Sequence, residues 1–328
     1  MEINRYIETR EKIKDHIVQT PMYKSDFFSS KFGIDVYFKM ECYQTTGSCK
    51  WRGAINQLIE NLDEAKKRGI VSYSSKNYGI ALATAAKKFG VEHQIYVPTQ
   101  NPVWSNKEME KHGVNINFFG SSLNATRKHA RAVAEESGQI FINPSNDENA
   151  ILGYGTLALE ILEEVESIQS IIVPVGQGGL ISGLGDVIKQ KSPKARVIGV
   201  SMEKGAAMMA SLHAQKIVSI KELSSMADSL VGNLEQNNKL TFKMVKELAN
   251  ELVTISEGQI INAMRLIHEK EKILCEGAAV VGLAACLDRD TKYVAGPLVI
   301  PITGQNCDLN LFAKIVKGVE LDSILKRF

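Results

Sequence analysis

Short runs rich in β-branched and aromatic residues, each followed by turn residues and a longer helical pattern, recur along this chain and constrain its fold more than any other feature. Residues 70–73, 93–97, 114–119, 140–143, 171–175, 196–200 and 298–302 read as strands. Helices are expected near 81–89, 105–112, 124–137 and 154–165, with a closing helix near 311–319. Upstream, an amphipathic helix over 5–16 ends at Thr20-Pro21, and 34–40 alternates like a strand. Strand, turn and helix in repetition describe an α/β chain with a largely parallel sheet covered on both faces. Ligands in such sheets sit at the carboxyl ends of strands. That selects the turns after residues 73, 175 and 302, together with the turn that follows the strand at 34–40. A length of 328 residues exceeds the usual single core, and no linker or tandem repeat divides the chain. A second lobe is therefore expected to be inserted within the first.

Composition narrows the function. Apolar content of 44% and charged content of 23% are those of an ordinary globular protein. A formal charge of +2 without a basic block leaves no electrostatic footprint for nucleic acid or an anionic membrane. No apolar run reaches membrane-spanning length, and Met1 to Arg5 lacks the basic-then-apolar order of a signal peptide. Cys42, Cys49, Cys275, Cys286 and Cys307 are odd in number and form no C-x-x-C pair, which suits a reducing compartment and not structural zinc. A cytoplasmic location is expected. The six histidines show no ligand spacing, and no nucleophile elbow is present.

Three turns and one lysine remain. In Gln44-Thr45-Thr46-Gly47-Ser48-Cys49-Lys50-Trp51-Arg52-Gly53-Ala54, hydroxyl residues and a glycine deliver Lys50 to an expected helix start. Ser48 is the expected N-cap. A lysine held there partly dehydrated is prepared for Schiff-base chemistry, although a capped surface helix would use the same residues. Gly176-Gln177-Gly178-Gly179-Leu180 follows a buried strand and opens a helix, so its amides can converge on an anion. A dinucleotide fingerprint would need an acidic residue closing the next strand, where Ser201 stands, and a compact phosphate cup fits better. Ser74-Ser75-Lys76-Asn77-Tyr78-Gly79 is crowded with groups able to hold a carboxylate or to cap a helix. Thr303-Gly304-Gln305-Asn306 is a third polar turn.

Taken in order, these stretches resemble the fold-type II pyridoxal-phosphate enzymes, most closely the threonine/serine dehydratase and serine racemase branch. The resemblance runs from Thr20-Pro21 and Lys39-Met40-Glu41 through the Lys50 and Ser74 turns, Gly153-Tyr154-Gly155-Thr156-Leu157-Ala158-Leu159-Glu160 and the glycine turn, to Glu276-Gly277-Ala278 and Thr303-Gly304. It implies two open, mostly parallel twisted sheets with helices on both faces, like tryptophan synthase β. A large cofactor-binding lobe would comprise 1–53 and 145–328, and a small inserted α/β lobe 54–144. By position, Lys50 matches the lysine that carries pyridoxal 5′-phosphate, and Asn77 the residue that meets its 3′-oxygen. Gly176, Gln177, Gly178, Gly179 and Leu180 match the phosphate cup, and Thr303 the hydroxyl residue facing the pyridine nitrogen. Ser75 matches the serine that works on the face opposite the lysine, and Ser74 with its neighbours would hold the substrate carboxylate. A neutral Thr303 should limit carbanion build-up and favour prompt loss of a β-hydroxyl, giving a 2-oxo acid and ammonia. Members of this length are commonly homodimers, and the regulatory domain of the biosynthetic deaminases is not expected.

Four positions depart from the dehydratase pattern: Cys49 for phenylalanine, Lys76 for glycine, Tyr78 for histidine and Gln177 for glycine. If φ is positive at Lys76, lysine strains the turn by roughly 1 kcal/mol or more. Its charge would sit where a substrate carboxylate, or a second one, could lie, so Lys76 and Tyr78 are expected at the substrate and the substrate is expected to be acidic or larger. The alternative is a lysine swung out to solvent. The cation site of the racemases would need acids at Ser201 and Ala207, so no metal is expected. The leading expectation is a lyase acting on a β-hydroxy, serine- or threonine-like amino acid. Racemisation or β-replacement is the second, and a degenerate member that binds ligand without turnover is the third.

Overall fold

The computed structural model describes residues 1–288, 294–319 and 324. Among the described residues ten strands form two sheets. β1 (Met22–Lys24), β2 (Val36–Lys39), β7 (Ser170–Pro174), β8 (Arg196–Met202), β9 (Glu251–Ile255) and β10 (Leu298–Pro301) make one, in the order β1-β2-β10-β7-β8-β9. Only β1 runs antiparallel. β3 (Ile70–Tyr73), β4 (His93–Val97), β5 (Ile116–Phe118) and β6 (Ile140–Phe141) make the other, fully parallel, in the order β5-β4-β3-β6. Every strand of this smaller sheet lies between residues 54 and 144.

The alternation of side chains along the central strands explains their unbroken hydrophobicity. Ile172, Ile198, Val200 and Ile300 face one apolar cluster, while Ile171, Val173, Val197 and Val299 face another on the opposite side. Both faces are covered, as a parallel sheet requires. Tertiary context moves several boundaries. The helix Asn77–Phe89 begins at the end of the polar turn, and Glu148–Glu164 begins well before Tyr154 because Asp147 caps it through the amides of Asn149 and Ala150. β8 continues through Ser201 to Met202, paired with β9, an edge strand that had no expected counterpart in the sequence. The closing helix is Leu309–Val316.

The helix Lys50–Glu60 packs on Glu148–Glu164 at very close range. A Cβ at Gly153 would run into the Arg52 carbonyl, and one at Gly53 would stand 2.5 Å from the Tyr154 ring. Between these helices Arg52, 0% exposed, donates to both oxygens of Glu41 at 2.8 and 2.9 Å and to both of Glu160 at 2.6 and 2.9 Å. Lys39 Nζ completes the network with Glu160 at 2.9 Å, Glu164 at 2.9 Å and the Thr20 carbonyl at 2.8 Å. Burial opposes the Arg52 charge, but Glu41 and Glu160 outweigh it and raise the pKa. Replacing Arg52 with methionine leaves Glu41 buried without a cationic partner and Glu160 with Lys39 alone. We expect Arg52→Met to lose about 3–5 kcal/mol of stability in urea unfolding, and an unchanged midpoint would refute the assignment.

Candidate functional site

Four strand ends converge on one cavity. Its lining includes Cys49 and Lys50 after β2, Tyr73 to Ser75 with Asn77 and Tyr78 after β3, Gly176 to Leu180 after β7 and Thr303 after β10. The first and last of these turns are joined directly. Ser48 and Gly304 form an isolated antiparallel bridge, with Cys49 N donating to Thr303 O and Gln305 N to Gly47 O, each at 2.9 Å. Ser48 sits in this bridge and is not the N-cap. Cys49 takes that position with helical dihedrals, and the Ser48 hydroxyl is buried without a partner.

Lys50 is half-buried at the first turn of its helix. Its Nζ stands 5.4 Å from the centroid of the Tyr154 ring, and no carboxylate among the described residues pairs with it. Tyr154 is held by a hydrogen bond from its hydroxyl to the Pro144 carbonyl at 3.2 Å. An amine so placed, over an aromatic wall and free of an ion partner, is available for reaction.

The glycine turn presents its backbone to the same cavity. Among the described residues, the amides of Gly176, Gln177, Gly178 and Gly179 donate to no protein acceptor, and they stand at the N-terminus of the helix Gly179–Lys191. Gly178 has φ +94°, a conformation that side chains resist. A Cβ at Gly179 would crowd the Ser145 carbonyl at 3.1 Å. Unengaged amides at a helix start form an anion cup. The Gln177 carboxamide reaches sideways, accepting from Tyr73 Oη and donating to the Asn233 carbonyl, both at 3.4 Å.

In the serine turn, Ser74 Oγ accepts from Lys76 N at 3.1 Å and Gly79 N at 2.9 Å, so its hydroxyl closes the turn and keeps its own proton to donate. Ser75 Oγ has no protein partner among the described residues, and neither do the amides of Ser75, Asn77 and Tyr78. Together they can receive a carboxylate. Asn77 is fixed by Nδ2 to Glu276 Oε1 at 2.7 Å and to Ser229 Oγ at 3.2 Å, while its Oδ1 accepts from Asn306 Nδ2 at 2.9 Å. The Tyr78 hydroxyl donates to Gln57 Oε1, and burial drives its pKa well up, so it stays neutral. Burial likewise pushes the Cys49 thiol up to about 12. Thr303 Oγ1 has no protein partner among the described residues.

Lys76 departs from expectation. Its φ is −171°, extended and not left-handed, so the anticipated backbone strain does not arise. It is 2% exposed and does not swing into solvent. Nor does its side chain line the glycine-turn cavity as a free cation for substrate. The ammonium is taken up by Glu276, Asp228 and the Asn306 carbonyl. Asp228, Ser229 and Tyr154 were not foreseen as site residues. Glu276 was visible as a motif, but nothing in the sequence gave it a partner. Ser201, buried, has its hydroxyl beside Met202 Sδ at 3.3 Å.

The model of the family described as pyridoxal-phosphate dependent enzyme matches residues 13–304. The chain is 34% identical over 314 residues to the L-threonine ammonia-lyase of Thermotoga maritima, spanning 95% of this chain and 77% of that one. It is 31% identical over 331 residues to a serine racemase of Oryza sativa, spanning 99% and 94%. The solved structure of maize serine racemase superposes with a TM-score of 0.88 at 30% identity, covering 98% of this chain and 99% of that one. No helix among the described residues is long and apolar enough to cross a membrane. The chain belongs to the fold-type II pyridoxal-phosphate-dependent enzymes, in the threonine/serine dehydratase and serine racemase branch.

Proposed function

We propose that this enzyme is an ammonia-lyase that eliminates the β-hydroxyl of a serine- or threonine-like amino acid, releasing a 2-oxo acid and ammonia. The observation that carries the reading is a cavity in which one unpaired lysine, one empty-handed glycine turn and one carboxylate-receiving serine turn meet. The residues fit the family's cofactor, pyridoxal 5′-phosphate. Lys50 would hold it covalently, the amides of Gly176 to Leu180 would hold its phosphate, Asn77 its 3′-oxygen and Thr303 its ring nitrogen. When bound, that group supplies the electron sink that acidifies the substrate Cα–H. Ser74, Ser75 and the amides beside them bind the substrate carboxylate and orient Cα toward Lys50. The Lys50 amine, freed when the substrate amine takes its place, would take the Cα proton. Thr303, a neutral hydroxyl, would offer the ring nitrogen no carboxylate partner, which would favour prompt departure of the β-hydroxyl. We assign the cup to a large lobe of residues 1–53 and 145–328, and the serine turn to a small lobe of 54–144. The neutralised Lys76 withdraws support from an acidic substrate, and a small hydroxy amino acid is the reading that remains.

Lys50→Ala should remain folded, lose the long-wavelength absorbance of lysine-bound cofactor and lose at least about 10³-fold in turnover. Gly178→Ala, strained at φ +94° and crowding Met208 Cε at 2.7 Å, should weaken cofactor binding by about tenfold or more in a titration of cofactor-free protein. Retention of full activity in the first, or of full affinity in the second, would discard the assignment concerned.

Racemisation is a second reading, favoured by the unengaged hydroxyl of Ser75 in the cavity and by the likeness to serine racemases. A panel of L-hydroxy amino acids incubated with the enzyme separates the readings. Elimination predicts 2-oxo acid accumulating faster than the D-enantiomer, and the reverse order would favour racemisation. A protein that carries cofactor yet yields neither product from any of them would be a binding relative without turnover.

A further inference from the structure

Lys76 lines a roomier cavity of about 350 Å³, which shares Ser75, Leu123, Val231 and Glu276 with the cavity just described. Its Nζ meets Glu276 Oε2 at 2.8 Å, Asp228 Oδ1 and Oδ2 at 3.1 and 3.2 Å, and the Asn306 carbonyl at 2.6 Å, and it lies 4.8 Å from the Trp104 ring centroid. Two carboxylates, a carbonyl oxygen and an aromatic face around one point form the surroundings of a small free cation. Here the chain supplies the cation itself. Burial disfavours that charge, but Asp228 and Glu276 more than compensate.

The cage is coupled to the site through one carboxylate. Glu276 is 3% exposed, and the oxygen not paired with Lys76 accepts from Asn77 Nδ2 at 2.7 Å and from Ser229 Oγ at 3.3 Å. Asn306, whose carbonyl receives Lys76, donates its side-chain amide to Asn77 Oδ1 at 2.9 Å. Both polar ends of Asn77 are therefore set by groups that Lys76 holds. Without the ammonium, Glu276 would carry a buried charge with no positive partner, and the cage would be open to any cation small enough to enter.

We propose that Lys76 is a tethered monovalent cation, a positioning residue whose ammonium permanently fills a cation site in the active-site wall. Removing its side chain converts that site into one for free ammonium or potassium. The effect on turnover rests on the proposed role of Asn77, whereas cation binding does not. Wild type and Lys76→Ala, as full-length purified proteins, are melted in chlorides of tetramethylammonium, sodium, potassium, ammonium and methylammonium at equal ionic strength. Wild type should melt at one temperature throughout. Lys76→Ala should melt lower in tetramethylammonium and rise saturably, by about 3 °C or more, with ammonium or potassium. Its turnover should recover along the same saturation curve. Lys76→Met, which refills the space without a charge, should melt below wild type and respond to no cation. The proposal is overturned if Lys76→Ala melts alike in every salt or folds in none, if wild type responds as the variant does, or if Lys76→Met is as stable as wild type. Saturable cation binding with no turnover in any protein would retain the cation site and reject the lyase reading.

Discussion

The site depends first on a buried arginine. Arg52 lies two residues after Lys50 on the same helix, and its guanidinium fixes that helix against Glu41 from the strand-end turn and Glu160 from the neighbouring helix. A planar fork with five donors can satisfy two carboxylates in one orientation, which a lysine could not do. Burying such a network is a poor way to gain stability over a packed apolar core, but it leaves very few alternative registers. Precision of placement is what the role proposed for Lys50 needs, and the network supplies it from beneath.

Close packing carries that precision to the cavity. Gly53 and Gly153 let the two helices approach until the Tyr154 ring lies under Lys50. The bridge between Ser48 and Gly304 then ties the lysine turn to the threonine turn, so that Lys50 and Thr303 are positioned by one another's backbones. The glycine cup and the end of β3 come from different sheets and meet through side chains instead, Gln177 with Tyr73, while the serine turn is tied across by Asn77 to Glu276. Two of the four walls are therefore rigidly joined and two are hydrogen-bonded across a gap.

What was legible in the sequence follows from range. β3 and β4 were read to the residue because alternation and flanking turn chemistry are local signals. The edge strand β9, only five residues long, alternates just over Val253 to Ile255, a signal too short to stand out without its partner β8. The motif residues of the site were legible as chemistry. Their partners were not, because Arg52 with Glu160 and Lys76 with Glu276 are separated by more than a hundred residues. Ser48 illustrates the reverse error: a hydroxyl just before a helix suggests a cap locally, yet the tertiary bridge to Gly304 claims that residue.

The four departures from the dehydratase pattern weigh on whether this is a working site or a relic. In a decaying site, substituted residues should clash, dangle or lose their partners. Here Gln177 binds Tyr73 and Asn233, Tyr78 donates to a Gln57 whose amide is itself held by the Asn143 carbonyl at 2.8 Å, and Lys76 is met by two carboxylates. Cys49 is buried in an apolar cluster with Tyr154 and stays a neutral thiol. Lys76 and Gln177 thus add polar contacts that glycine could not make, and Tyr78, standing for histidine, has a partner of its own. Buried polar groups that are fully partnered restrict a site to one arrangement, whereas partly partnered ones destabilise it. The substitutions fall on the first side of that divide, and the site they build is more tightly wired around Lys50, not less.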